Sequence, residues 1–408
     1  MSGLYNLLAA TVLLTSACDS FPSGKEAAKA GGTRSDSAGS TIVLHEPGNP
    51  LPGSGVSARL SGTAVFSLDS IPRSSRSELF RITTAAFLDS GRIAIGHSST
   101  SEVLLLEGDG RFVKAVGRDG SGPGEFRSVE GPWSVAGDKF AISDVRARRV
   151  TIFSSSGDIA QTVNYSDRPL PSTTAMFWET YGVTGSGTAV MKMTGMPAST
   201  TGVARIPLPI IVIDTVGSIR RVGPDIAGEE QLAMQTMGSG FAFLVSPLAA
   251  APLVAACGNN IAVADNQSYS VSIMTMDGSV PFIVRAQVAR HKVSDSDLLG
   301  ASHESKGYGR SDSDLLAMYS GASAMELAPA LHALHCDAAG ALWVEEFADY
   351  ARGQRRVIVY EPDGAIRSSF WLQVGMRILG VDRNRVMLAV TDDDGVEHLE
   401  LRSVESSS

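Results

Sequence analysis

One unit of sequence recurs along most of this chain: a short β-type run, a Gly- or Asp-centred turn, and a second β-type run. It is clearest at residues 139–158. There Lys139-Phe140-Ala141-Ile142-Ser143-Asp144 reads as one strand and Arg149-Val150-Thr151-Ile152-Phe153 as the next, ended by Ser156-Gly157-Asp158. The β-branched and aromatic residues suit a pleated, half-buried surface, and the turn glycines supply the positive φ that a tight turn requires. The same grammar is found at Gly91 to Gly110, Ile261 to Gly278 and Gly340 to Gly364, and less regularly around Gly187 and Arg385.

Taking the first glycine of each unit, or its equivalent, gives positions 91, 137, 187, 258, 340 and 383, spaced by 46, 50, 71, 82 and 43 residues. Periods of about 40 to 50 residues with four short strands each are the pattern of propeller blades, which stack because one blade cannot bury both of its faces alone. The reading is therefore all-β, a six-bladed β-propeller over residues 62–404. A pair of β-sandwiches is the alternative, but it does not require one repeated signature. Residues 377–404 supply three strands of a last blade, and Gly62-Thr63-Ala64-Val65-Phe66-Ser67-Leu68 supplies a fourth. An N-terminal strand closing the last blade leaves no open sheet edge at the seam.

The 82-residue interval exceeds one blade by about thirty residues. Residues 294–325 break the two-residue alternation and hold two Ser-Asp-Ser-Asp-Leu-Leu copies, at 294–299 and 311–316. Serine as N-cap and aspartate in the first turn mark helix starts, so a short helical insertion is expected before the fifth blade, over or beside one mouth of the central channel. Gly307 and Gly309 lie between its halves.

The N-terminus reads as an address. Leu7 to Leu14 is an apolar run of eight residues, too short to span a bilayer and right for a signal-peptide core. Thr15, Ser16 and Ala17 then lead into Cys18, which resembles the lipobox of bacterial lipoproteins. That resemblance implies a signal peptide over residues 1–18, lipidation at Cys18 and a membrane anchor. Plain secretion and an unprocessed start are the alternatives. Residues 19–61, rich in Ser, Gly, Ala and Pro, read as a flexible tether.

Val116-Gly117-Arg118-Asp119-Gly120-Ser121-Gly122-Pro123-Gly124-Glu125-Phe126, then Pro132, Asp144 and Arg149-Val150, resemble an NHL repeat, with its glycine-rich interblade loop ending in Glu-Phe. As a whole the chain resembles the bacterial six-bladed β-propeller lipoproteins related to NHL-repeat proteins. The resemblance implies an exported cell-envelope protein, periplasmic or at the cell surface. The glycine-rich loop is no phosphate site, because no Lys-Ser or Lys-Thr and no helix follow it.

The net charge of −9, without a basic run, excludes a nucleic-acid partner. His332 and His335 suggest a metal pair, but residues three apart on a regular strand face opposite sides. Asp392-Asp393-Asp394-Gly395 reads as a hairpin turn, and Glu345 and Glu346, adjacent on a strand, point apart. Cys257 and Cys336 fall at the ends of inner strands of neighbouring blades and are expected as free buried thiols, though export permits a disulfide. No catalytic, cofactor or metal residue is assigned, and Cys18 is the one modification site. The expected function is a monomeric binding or scaffold module for a protein, peptide or glycan; a metal-dependent hydrolase of the six-bladed lactonase type is the alternative.

Overall fold

The structure, a computed structural model, describes residues 33–37, 39–45, 57–62, 66–67, 82–97, 101–169, 175–195, 202–235, 241–305, 310–319, 326–391 and 397–406. The signal segment, Cys18, Gly307, Gly309 and the Asp392 to Gly395 turn lie outside the described residues. No helix among the described residues is long and apolar enough to cross a membrane.

Six sheets of four to six strands account for the described strands. Their first strands are Ile82–Phe87, Glu130–Val135, Ala175–Val183, Pro252–Cys257, Leu331–Cys336 and Met376–Asp382. Each sheet continues outward by antiparallel neighbours, as in Lys139–Asp144, Arg149–Ser154 and Ile159–Asn164 of the second. Each first strand packs against the first strand of the next sheet, and Met376–Asp382 packs against Ile82–Phe87. The core follows the same order. Six apolar clusters lie between successive sheets, among them Phe140 and Ile142 against Leu105 and Ala86, and Ile93 and Leu104 of the first sheet against Met387 and Leu399 of the last. Strand alternation explains this: residues of one parity face the preceding sheet and those of the other parity face the following one, so both sides of a strand are apolar. Val103 to Leu106 are accordingly all buried.

The last sheet takes strands from the N-terminal region. Ala58–Leu60 pairs with Val404 to Ser406, and Phe66–Ser67 pairs with Glu400 and Leu401. Residues 33–45 depart from the tether expectation. Thr33–Ser37 and Ser40–His45 are strands, and Ser40–His45 runs parallel to Phe282–Ala286 on the outer edge of the fourth sheet. The apolar run Ile42-Val43-Leu44 is the cause: Val43 is fully buried, and the His45 ring lies 5.2 Å from that of Tyr360 with Nε2 3.1 Å from the Gly364 carbonyl.

Both expected helices are present, α1 (Asp295–Glu304) and α2 (Asp312–Tyr319). Ser294 accepts from the Asp297 amide while the Asp297 carboxylate accepts from the Ser294 amide, a reciprocal capping box. Ser311 and Asp314 repeat it. Arg290, just ahead of the insertion, donates to the Gln267 carbonyl of the fourth sheet at 3.0 Å, to the Gln267 side chain at 2.7 Å and to the Leu327 carbonyl just after the insertion at 2.9 Å, which ties both ends of the insertion to that sheet.

Candidate functional site

The fifth sheet gathers several ionisable side chains into one cluster. Regular alternation places His332 and His335 on opposite faces, but the ladder to Leu342–Glu346 is not regular: Leu331 pairs with Glu346 and Ala333 with Glu345, so His332 is an extra residue in a β-bulge. A bulge re-aims the side chain of its extra residue. The expectation of separated imidazoles is therefore corrected. His332 and His335 both interact electrostatically with Glu345, and with Arg355 of the adjoining strand Gln354–Tyr360 they form one cluster.

His335 Nε2 lies 2.6 Å from Glu345 Oε1. The Glu345 side chain is 4% exposed and Arg355 1% exposed, their nearest atoms 3.5 Å apart. Burial pushes the Glu345 pKa up, but the hydrogen bond and charge of His335, aided by His332 and Arg355, outweigh it and hold the carboxyl at about 2. Glu345 is thus an anion at any ordinary pH, so His335 Nε2 carries the proton and donates it to the hydrogen bond. Nδ1 is left as the atom that can accept whenever the ring is neutral. His332 is solvent-accessible yet hemmed in by protein; desolvation first, and repulsion from Arg355 second, lower its pKa.

The insertion completes the cluster. Glu304, the last residue of α1, pairs with Arg355 and accepts a 2.5 Å hydrogen bond from the Tyr350 hydroxyl. Gly300 makes this approach feasible, because a Cβ there would meet the Tyr350 ring at 2.2 Å. Burial and the Glu304 charge raise the Tyr350 pKa, so the phenol stays a donor. Glu345 and Glu304 thus share one guanidinium, that of Arg355.

His335 also lines a cavity of about 350 Å³ whose walls come from the first strands of all six sheets and the residues just beyond them, with Thr84, Pro132, Tyr181, Ala255, His335 and Gly380 one from each. Among the described residues no three His, Cys, Asp or Glu side chains gather as metal ligands do.

The other residues singled out in the sequence have structural partners. Glu346 pairs with Arg356 at 2.6 Å, and the serines at 294 and 311 cap helices. In the glycine-rich loop the Glu125 carboxylate accepts from the Gly122 amide at 2.7 Å and from Arg118 at 2.9 Å, while Phe126 is fully buried. Asp144 accepts from the Arg127 amide and pairs with Arg149, which donates to the Ser121 and Gly122 carbonyls. The loop is thereby fastened to the second sheet. Cys257 and Cys336 are not free thiols. Their Cα atoms are 5.0 Å apart and the sulfurs form a disulfide, because first strands of successive sheets converge at their ends.

No family model matches the chain, and no curated protein matches it. Solved structures do. One is a protein described as exported from Bacteroides fragilis NCTC 9343, at 12% identity and TM-score 0.48, covering 90% of this chain and all of that one. Another is a member of the duf4221 family from Bacteroides vulgatus, at 9% identity and TM-score 0.46, covering 81% and 94%. A third is a gluconolactonase from Xanthomonas campestris, at 14% identity and TM-score 0.38, covering 85% and 95%.

Proposed function

We propose that this chain is an exported, membrane-anchored β-propeller of six blades, closed by its N-terminal strands, that binds a protein, peptide or glycan segment in its central cavity. The cyclic order of first-strand contacts and of the six apolar clusters supports the ring. The address at residues 1–18 and the lipobox-like Cys18 support export and anchoring.

The observation that carries the binding reading is the cavity itself: about 350 Å³, walled by every sheet, with His335 held by a buried carboxylate at its wall. That size falls in the range of small-ligand sites, and such sites combine apolar walls with a few fixed polar groups. The NHL resemblance and the absence of an obvious nucleophile motif agree with binding without turnover. The metal-dependent hydrolase alternative requires three or four converging ligands, and the His335–Glu345 pair by itself supplies two.

The test is a paired screen of short peptides and oligosaccharides by thermal shift and calorimetry. Ala136 and Ala338 are exposed alanines at the cavity wall, from the second and fifth sheets. Ligands should bind the wild-type protein and lose affinity for the doubly plugged variant Ala136→Trp/Ala338→Trp. Retention of full affinity by the plugged variant places the binding surface elsewhere.

A further inference from the structure

The charge around the cavity is one-sided. Among the described residues its lining holds two carboxylates, Asp89 and Asp337, one histidine, His335, and no Lys or Arg. Asp337 is fully buried, accepts from the Ala341 amide at 2.9 Å and shares Arg367 with Glu361, at 3.2 Å and 2.7 Å. Asp89 accepts from the amide of Asp138, whose carboxylate feels the charge of Arg92, and Arg92 is paired with Glu107 at 3.0 Å. Behind His335, Glu345 and Glu304 share Arg355. In all three networks carboxylates outnumber guanidinium groups.

Asp337 is buried within its own turn, so Asp89, exposed at the hairpin turn that follows Ile82–Phe87, is the carboxylate that a ligand in the cavity mouth can reach, and its attraction is strongest at low salt. The aromatic lining points the same way. Trp133 and Tyr181 line the cavity, and an aromatic face within reach adds a cation–π attraction. When neutral, His335 offers an acceptor nitrogen, since its other nitrogen is committed to Glu345.

We propose that the central cavity selects a primary ammonium group carried on a small organic body, with Asp89 as its counter-charge and Trp133, Tyr181 and His335 Nδ1 as its partners. This rests on the reading of the cavity as the binding site and adds the chemical class of the ligand. Anions are disfavoured for the same reason, because the described lining residues include no basic side chain to meet them.

Three probes of nearly one shape and different charge test it: benzylammonium, benzyl alcohol and benzoate, titrated calorimetrically at pH 7.5 and low salt. Benzylammonium should bind roughly tenfold more tightly than benzyl alcohol, and benzoate most weakly. In Asp89→Asn the preference of ammonium over alcohol should shrink severalfold, with alcohol binding unchanged. Benzoate or benzyl alcohol binding at least as tightly as benzylammonium, with loss in the Ala136→Trp/Ala338→Trp variant, overturns the ammonium class and leaves the cavity as the binding site. Ammonium binding that survives the plug overturns the location as well, and no binding by any of the three probes overturns the proposal.

Discussion

Replacing Glu345 with glutamine keeps the side-chain shape and removes a charge that the structure holds in place with three partners. The carboxyl has an ordinary pKa of 4.5 and is held at about 2 in the folded chain. A depression of that size corresponds to about 3 kcal/mol, at 1.4 kcal/mol per unit. The sign follows from linkage. A carboxyl with a lowered folded-state pKa stabilises the protein fully above its unfolded value, near 4.5, and that contribution is lost as the pH falls toward 2. Since Glu345 is almost wholly buried, solvent screening takes little from the figure, and loss of one member of a buried ion pair costs a similar amount, about 3 to 5 kcal/mol. The expected outcome is that Glu345→Gln loses about 3 kcal/mol at pH 7 in urea unfolding followed by tryptophan fluorescence. The gap to wild type should close between pH 4.5 and pH 2. Other carboxyls titrate in that range in both proteins, so the difference between the two curves isolates Glu345. A gap under about 1 kcal/mol at pH 7, or one that stays constant down to pH 2, refutes the assignment of Glu345 as the ionised centre of the cluster.

The Cys257–Cys336 bridge joins residues 79 apart, and its removal in a double alanine variant should cost about 4 kcal/mol by the loop-entropy relation; equal denaturation midpoints with and without the bridge would speak against it. Asp144→Ala leaves Arg149, 9% exposed, without its carboxylate and should destabilise by about 3 kcal/mol or more, whereas a loss near zero in thermal unfolding contradicts the fastening role of the glycine-rich loop. Ser294→Ala removes an N-cap and should cost about 1 kcal/mol, read as faster amide exchange over α1 with the sheets unaffected. Cys18→Ala should move the protein from the membrane to a soluble exported fraction or block its maturation; a wild-type protein found wholly soluble rules out the anchor.

Strand rhythm is readable from the sequence because its causes are local. Glycines at the turns around 91, 157, 187, 278 and 364 take positive φ, and the apolar runs between them are long enough for one strand each. The helix starts are readable for the same reason, since Ser-Asp-Ser-Asp encodes its own cap. Distant partners decide the features that composition misjudges. The segment 33–45 looks like a linker because its apolar stretch is short, and it is a strand pair because the edge of Phe282–Ala286 is there to receive it. The disulfide is misjudged for a related reason: sequence separation says nothing about how closely the ends of successive first strands converge, and in the structure those ends meet at 5.0 Å.

The cluster on the fifth sheet is the least legible part, and the reason is a single residue. Counting by two along Leu331–Cys336 assigns His332 and His335 to opposite faces, and that counting holds only while every residue has one partner across the ladder. His332 has none in the register, so the parity of the strand before it is reversed relative to the strand after it. Leu331 and Leu334, three apart like the two histidines, therefore both join the apolar cluster shared with the fourth sheet. The histidines turn to the other face, where Glu345 and Arg355 stand. A strand with leucine and histidine each recurring at a spacing of three is thus incompatible with an unbroken ladder unless one leucine or one histidine is misplaced. The bulge is the arrangement that buries both leucines and brings both imidazoles toward Glu345, and the same arrangement gives the cavity wall a histidine backed by a permanent carboxylate.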